Sequence, residues 1–176
     1  MLKIEKHLFT IGPRNCGKSE YIERYMDIFS SKLYIGTLWQ SKSFDEIIQR
    51  HKQRRDKTWQ LYEISGGWGR DLRQIDNLMN SPKRVEACLA DGLITWAENI
   101  AGFRKNRLMS AIDSIIGTVT YLMNKNPEVV WFFIDVDPTV LRLEQRDDEA
   151  LICEKMHQRL INRITPLKIL YWENMI

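Results

Sequence analysis

The stretch LFTIGPRNCGKSEYIE, residues 8–23, decides how this chain is read. A short apolar run breaks at Gly12-Pro13, and a helix-like pattern resumes at Lys18. Between them GPRNCGKS satisfies G-x-x-x-x-G-K-[ST], with a strand expected before it and a helix after it, the context that gives this motif its meaning. Glycine lets the backbone turn and approach an anion with no Cβ in the way. The successive N–H groups of residues 15–19 can then converge on phosphate oxygens, and the positive end of the following helix dipole adds to the attraction. Gly12, Pro13, Arg14, Asn15, Cys16, Gly17, Lys18 and Ser19 are therefore the expected phosphate-binding set. Lys18 is expected to reach the β- and γ-phosphates of ATP or GTP, and Ser19 Oγ to ligate Mg²⁺.

Outward from this loop, strand-like and helix-like patterns alternate. Residues 7–11 read as a strand and 18–29 as a helix; 33–35 as a short strand and 44–54 as a helix; 58–64 as a strand and 71–79 as a polar helix. Residues 85–90 are a buried strand candidate. Leu108, Ile112, Ile115, Ile116, Val119 and Leu122 mark one face of a long helix. EVVWFFIDV, residues 128–136, is a continuous apolar run bounded by Pro127 and Pro138, and reads as the strongest strand. A helix over 141–163 and a strand over 167–171 complete the series. The expectation is an α/β fold: one P-loop NTPase domain over residues 1–176, with a mostly parallel sheet covered by helices on both faces.

The chain has 176 residues, 44% hydrophobic and 28% charged, which suits a globular protein with one sizeable core. A net charge of +3 is too mild to argue for a nucleic-acid partner. No stretch approaches the roughly 20 apolar residues that cross a bilayer, and the first residues do not read as a signal peptide. Cys16, Cys88 and Cys153 are odd in number and far apart, which argues for a reducing compartment and no disulfide framework. Together these point to a cytoplasmic protein.

Two further features carry chemistry. A carboxylate is needed to help hold the magnesium shell. Asp91 ends the apolar VEACLAD at the edge where an open α/β sheet binds ligands. Asp135 and Asp137 end WFFIDVD in the same way; Asp91 is preferred and Asp135 is the substitute. The second feature is a basic run with Arg50, His51, Lys52, Arg54 and Arg55. It reads as a solvated helix face, as a patch for a nucleic-acid backbone, or as the setting of a nucleophile, His51. An imidazole is largely neutral at pH 7 and has a free lone pair. Neighbouring cations would keep it so and would stabilise charge on an attacked phosphate.

These residues resemble the adenosylcobinamide kinase/adenosylcobinamide-phosphate guanylyltransferases of cobalamin biosynthesis. GPRNCGKSEYIER is followed by LYIGT, similar to the family's Y-I-A-T. The block H-[RK]-x-R-R-x-x-x-W-x-x-x-E is matched by His51, Lys52, Arg54, Arg55, Trp59 and Glu63. D-x-L-x-x-W-x-x-N is matched by Asp91, Leu93, Trp96 and Asn99. Arg146 and Asp147 keep the start of a further R-D-x-x-G-x-x-N-Q segment. The resemblance implies two reactions on one P-loop domain. In the first, a γ-phosphoryl group passes to adenosylcobinamide. In the second, GMP passes from GTP through a histidine to adenosylcobinamide phosphate. It makes His51 the guanylylated residue, with Lys18 and Asp91 as the other catalytic groups. Arg54, Arg55 and Glu63 join the nucleotide-binding set, and Ser19 and Asp91 serve Mg²⁺. A corrinoid is then a second small-molecule partner, and a homo-oligomer, a trimer in this family, is expected.

The chain departs from that pattern at SKSF, residues 41–44, where the family has a D-D-E-M-like segment. It departs again at IDVDPTVLRL, where the family has S-N-E-V-G and a glycine-proline loop, and at its end, YWENMI. Two alternatives share the loop: a P-loop kinase or NTPase with a non-corrinoid acceptor, and a nucleotide-switched nucleic-acid-binding module. His7 and His157 are expected to be packing residues. Trp59 and Trp96 are candidates for stacking on a ring or for the core.

Overall fold

The computed structural model describes residues 7–38, 45–64, 68–102 and 104–172, without the side chains of Ile47, His51, Trp68 and Lys105. The element order is β1 (His7–Gly12), α1 (Lys18–Tyr25), a 3₁₀ turn (Met26–Ile28), β2 (Lys32–Gly36), α2 (Asp45–Arg54), β3 (Trp59–Glu63) and α3 (Trp68–Met79). Then come β4 (Ala87–Asp91), α4 (Leu93–Ala101), α5 (Lys105–Lys125), β5 (Val130–Val136), α6 (Pro138–Leu143), α7 (Asp147–Arg163) and β6 (Lys168–Tyr171). The departures at 41–44 and 173–176, and residues 65–67 of the glycine-rich loop, lie outside the described residues.

The six strands among the described residues form one parallel sheet in the order β3-β2-β4-β5-β1-β6. This is the α/β fold of a P-loop NTPase-like domain. The inner strands are apolar on both faces, as a parallel sheet sandwiched between helices requires. Their side chains alternate between two clusters. Leu33, Ile35, Cys88, Ala90, Trp131 and Phe133 pack against α3, α4, α5 and α7. Tyr34, Ala87, Leu89, Phe132 and Ile134 pack on the other face against Ile22 of α1 and Met26 just beyond it. Because every strand runs the same way, Gly12, Gly36, Glu63, Asp91 and Val136 reach a common edge.

Three differences from the sequence reading have local causes. The first helix stops at Tyr25 and tightens into the 3₁₀ turn. Residues 93–101, read only as a motif, form α4, whose Leu93, Trp96 and Ala97 enter the core. The helix expected over 141–163 is two helices. Asp137 caps the first, its Oδ1 accepting from Thr139 N–H at 2.8 Å, with Pro138 in the first turn. Gln145, at φ 60°, turns the chain before α7 begins.

Candidate functional site

The loop leaves the C-terminal end of β1, and its first carbonyl, Gly12 O, accepts from Asp137 N–H at 3.0 Å. Asn15 and Gly17 both take positive φ, 55° and 90°, and Gly17 stands immediately before α1. Lys18 folds back into the loop and is buried. Its ammonium donates to Gly12 O at 2.9 Å and to Pro13 O, and lies 3.7 Å from Cys16 Sγ. A cation is thus held within a turn of backbone at the positive end of a helix, which is the chemistry of a polyphosphate cradle.

Beside it, Ser19 Oγ donates to Asp91 Oδ2 at 2.9 Å. Strand alternation explains why it is Asp91. Asp91 follows Ala87 and Leu89 on the face that carries α1, whereas Asp135 follows Trp131 and Phe133 on the opposite face. Asp135 is 2% exposed and accepts from Ile94 N–H at 3.2 Å, from Val136 N–H at 3.0 Å, and pairs with His157 Nε2 at 3.0 Å. Its carboxylate therefore stabilises the start of α4 from beneath. Cys153 Sγ lies 3.2 Å from the same imidazole nitrogen, and burial pushes its thiol well above the usual range. Asp137 is the cap of α6.

Asp91 is itself held by residues that the sequence reading gave no role. Thr37 Oγ1 donates to the Asp91 carbonyl at 2.6 Å, and Asn99 Nδ2 donates to the Thr37 carbonyl at 2.6 Å. Asn99 thus fixes Thr37, which fixes the strand end; Leu93 and Trp96 seat the helix that carries it. Gly92 makes the turn at φ 88°, and a Cβ there would lie 2.7 Å from Thr37 Oγ1. Gly92→Ala is expected to lower stability by about 1–3 kcal/mol through left-handed strain at a non-glycine residue. Chemical denaturation measures this, and an unchanged midpoint with an unchanged slope would refute it.

His51 lies on α2; its side chain is outside the described residues. The end of that helix is fixed to α1. Arg54 makes a two-point contact with Glu23, Nε to Oε2 at 2.6 Å and an Nη to Oε1 at 2.8 Å. Arg55 donates to the same carboxylate, its side chain is 1% exposed, and its guanidinium lies 3.4 Å over the Tyr34 ring. Arg55 is turned inward, whereas Arg54 pairs with Glu23 from the exposed side of the helix. Tyr34 Oη in turn donates to Asp91 Oδ2 at 3.4 Å. Burial, then the Asp91 charge, push the Tyr34 phenol well above its usual range, with Arg55 opposing. The contacts therefore close a ring: Glu23, Arg55, Tyr34, Asp91, Ser19 and back along α1.

Glu63 completes the edge. In the register of the sheet, Gly36 lies opposite both Glu63 and Asp91. The Glu63 carboxylate occupies the space over Gly36, where a Cβ would come within 2.0 Å of Oε2. Burial raises its carboxyl above the ordinary value; Lys52 and Arg55 pull it down and Asp91 adds to the rise.

The other aromatic and histidine candidates resolve as packing or pairing. Trp96 is 1% exposed, in the core. Trp59 is partly exposed and lies beneath Lys32 and Arg55. His7 is buried, and its Nδ1 accepts from Trp131 N–H at 3.2 Å. No helix among the described residues is long and apolar enough to cross a membrane.

The gathered groups, a lysine-bearing anion loop with a hydroxyl and a carboxylate beside it, suit a nucleoside triphosphate with a hard divalent cation. A comparison with curated proteins finds no match. The model of the cobinamide kinase / cobinamide phosphate guanyltransferase family does match, over residues 8–138, and the chain belongs to that family, whose members are enzymes of cobalamin biosynthesis that use nucleoside triphosphates.

Proposed function

We propose that this chain is one P-loop domain that transfers the γ-phosphoryl group of a nucleoside triphosphate to a cobinamide and guanylylates the product through His51. The observation that carries the reading is the Ser19–Asp91 contact of 2.9 Å beside the Lys18 loop. A hydroxyl and a carboxylate are hard oxygen donors, few in number, and Ser19 and Asp91 would suit a Mg²⁺ ion shared with substrate phosphates. When bound, the ion neutralises charge on the β- and γ-phosphates. The loop amides and Lys18 hold those phosphates, and Lys18 stabilises the charge that develops as the γ-phosphoryl leaves.

In the guanylyl transfer, a nitrogen of the His51 imidazole attacks the α-phosphorus of GTP. A P–N bond forms, and pyrophosphate leaves with the electron pair of the broken P–O bond. The phosphate oxygen of the acceptor then attacks the same phosphorus and releases the imidazole, so one difficult displacement becomes two. Arg54 and Arg55, bound to Glu23, hold the helix of His51 against the helix of the phosphate loop. Glu63 ends β3, and Lys52 of α2 is close enough to draw its carboxyl down. Assembly into a homo-oligomer, a trimer as the family resemblance implies, and a cytoplasmic location complete the proposal.

Incubation with α-labelled GTP tests the histidine. Acid-labile label is expected on the wild type and is expected to vanish in His51→Ala. An unlabelled wild type that still hydrolyses or transfers the γ-phosphate would remove the guanylyl half and keep the kinase half.

One observation favours a second acceptor class. Where the family pattern has a flexible Asn-Glu loop, β5 runs through Asp137 into α6, with Asp137 committed as its cap. A kinase with a non-corrinoid acceptor fits that substitution. γ-Phosphate consumption that cobinamide fails to stimulate would support this alternative.

A further inference from the structure

An aromatic pair stands at the opposite flank of the phosphate loop from Asp91. In the β1–β6 register Ile11 faces Tyr171, and Trp172 N–H donates to Ile11 O at 2.7 Å. This seats Trp172 beside the first loop residue: a Cβ on Gly12 would lie 2.5 Å from Trp172 Cβ. Tyr21, in the first turn of α1, meets the Trp172 ring edge to face, with centroids 5.1 Å apart and planes at 69°. Both rings keep solvent access; Tyr21 is 44% exposed and Trp172 is partly exposed.

The sheet order gives the polyphosphate a direction. Asp91 ends β4, on one side of β1, and Trp172 follows β6, on the other. Ser19 and Asp91, the residues that would hold a divalent cation for the reacting phosphates, stand toward β4, so the reacting end of the tail would lie on that side. The α-phosphate and the nucleoside then leave the loop toward β6, where Trp172 and Tyr21 stand. A pose that turns the α-phosphorus toward α2 carries the base away from this pair, so the pair belongs to phosphoryl transfer.

We propose that Trp172 and Tyr21 form the stacking platform for the purine base of the triphosphate during phosphoryl transfer, an inference that rests on reading residues 12–19 as the phosphate loop. An indole offers a large flat face, and stacking accepts any base because every base has a π-face. The platform therefore supplies affinity without choosing between adenine and guanine.

Calorimetric titration with Mg·ATP, Mg·GTP and Mg·tripolyphosphate separates the base from the tail. Trp172→Ala keeps the Cβ that packs over Gly12. It is expected to weaken both nucleotides by about 10-fold or more, leave tripolyphosphate unchanged, and be largely rescued in Trp172→Phe. Nucleotide affinities equal to the wild type would overturn the platform. So would an equal loss for tripolyphosphate, which would assign Trp172 to shaping the loop. Failure of the phosphate-loop reading looks different: the wild type would then take up neither nucleotide nor tripolyphosphate.

Discussion

Lys18→Ala is expected to lower phosphoryl transfer by about 100- to 1,000-fold, the scale of losing one preorganised charge-stabilising donor, and to abolish tight binding of Mg·ATP. The ammonium already lies inside the loop, on the carbonyls of Gly12 and Pro13. A bound polyphosphate would replace carbonyl oxygens with charged ones, and hydrogen bonds between charged partners are roughly twice as strong as neutral ones. The substitution also takes a donor from two loop carbonyls, so a thermal melt should accompany the titration. A variant that melts like the wild type but binds nothing places the loss at the ligand. Full activity in Lys18→Ala would end the enzymatic reading of the loop.

Glu23→Ala is expected to cost about 3–5 kcal/mol, the usual penalty for removing one partner of a buried ion pair. Glu23 is 7% exposed and is the carboxylate that both Arg54 and Arg55 face. Its removal leaves the Arg55 guanidinium buried against Tyr34 without that charge, and takes from α2 the two-point contact of Arg54 with α1. Denaturant unfolding reads the stability. Guanylyl labelling of His51 should fall with it under conditions where the variant remains folded. A loss below about 1 kcal/mol would show that the pair behaves like a surface ion pair, and that α2 is held by other means.

The strands and the loop were legible because their signals are local. An apolar run with β-branched residues, or two glycines and a lysine at fixed spacing, needs no partner to be recognised. The site's supports were not legible. Glu23 lies 31 and 32 positions from the arginines it holds, and Thr37 is 62 from Asn99. Nothing in the chain's periodicity pairs them, although Thr37 and Asn99 both sit in blocks quoted for the family resemblance. The choice among Asp91, Asp135 and Asp137 illustrates the limit. All three end apolar runs, and only the phase of side-chain alternation against the helices sends Asp91 to the loop and Asp135 to His157. The division of the final helical stretch was missed because its cause is one positive φ at Gln145, a residue that carries no turn signature.

The strand that leads into residues 12–19 is made well before either of its neighbours in the sheet. β1 hydrogen-bonds to β5 and β6, whose first residues are Val130 and Lys168. During synthesis, β2, β3 and β4 can pair among themselves while β1 still has neither neighbour. Contacts this distant in sequence slow folding and leave an unpaired apolar edge exposed in the meantime. A nascent chain halted before Val130 would carry residues 12–19 on a strand without either of its sheet neighbours, so the loop gains its support only once β5 has been made.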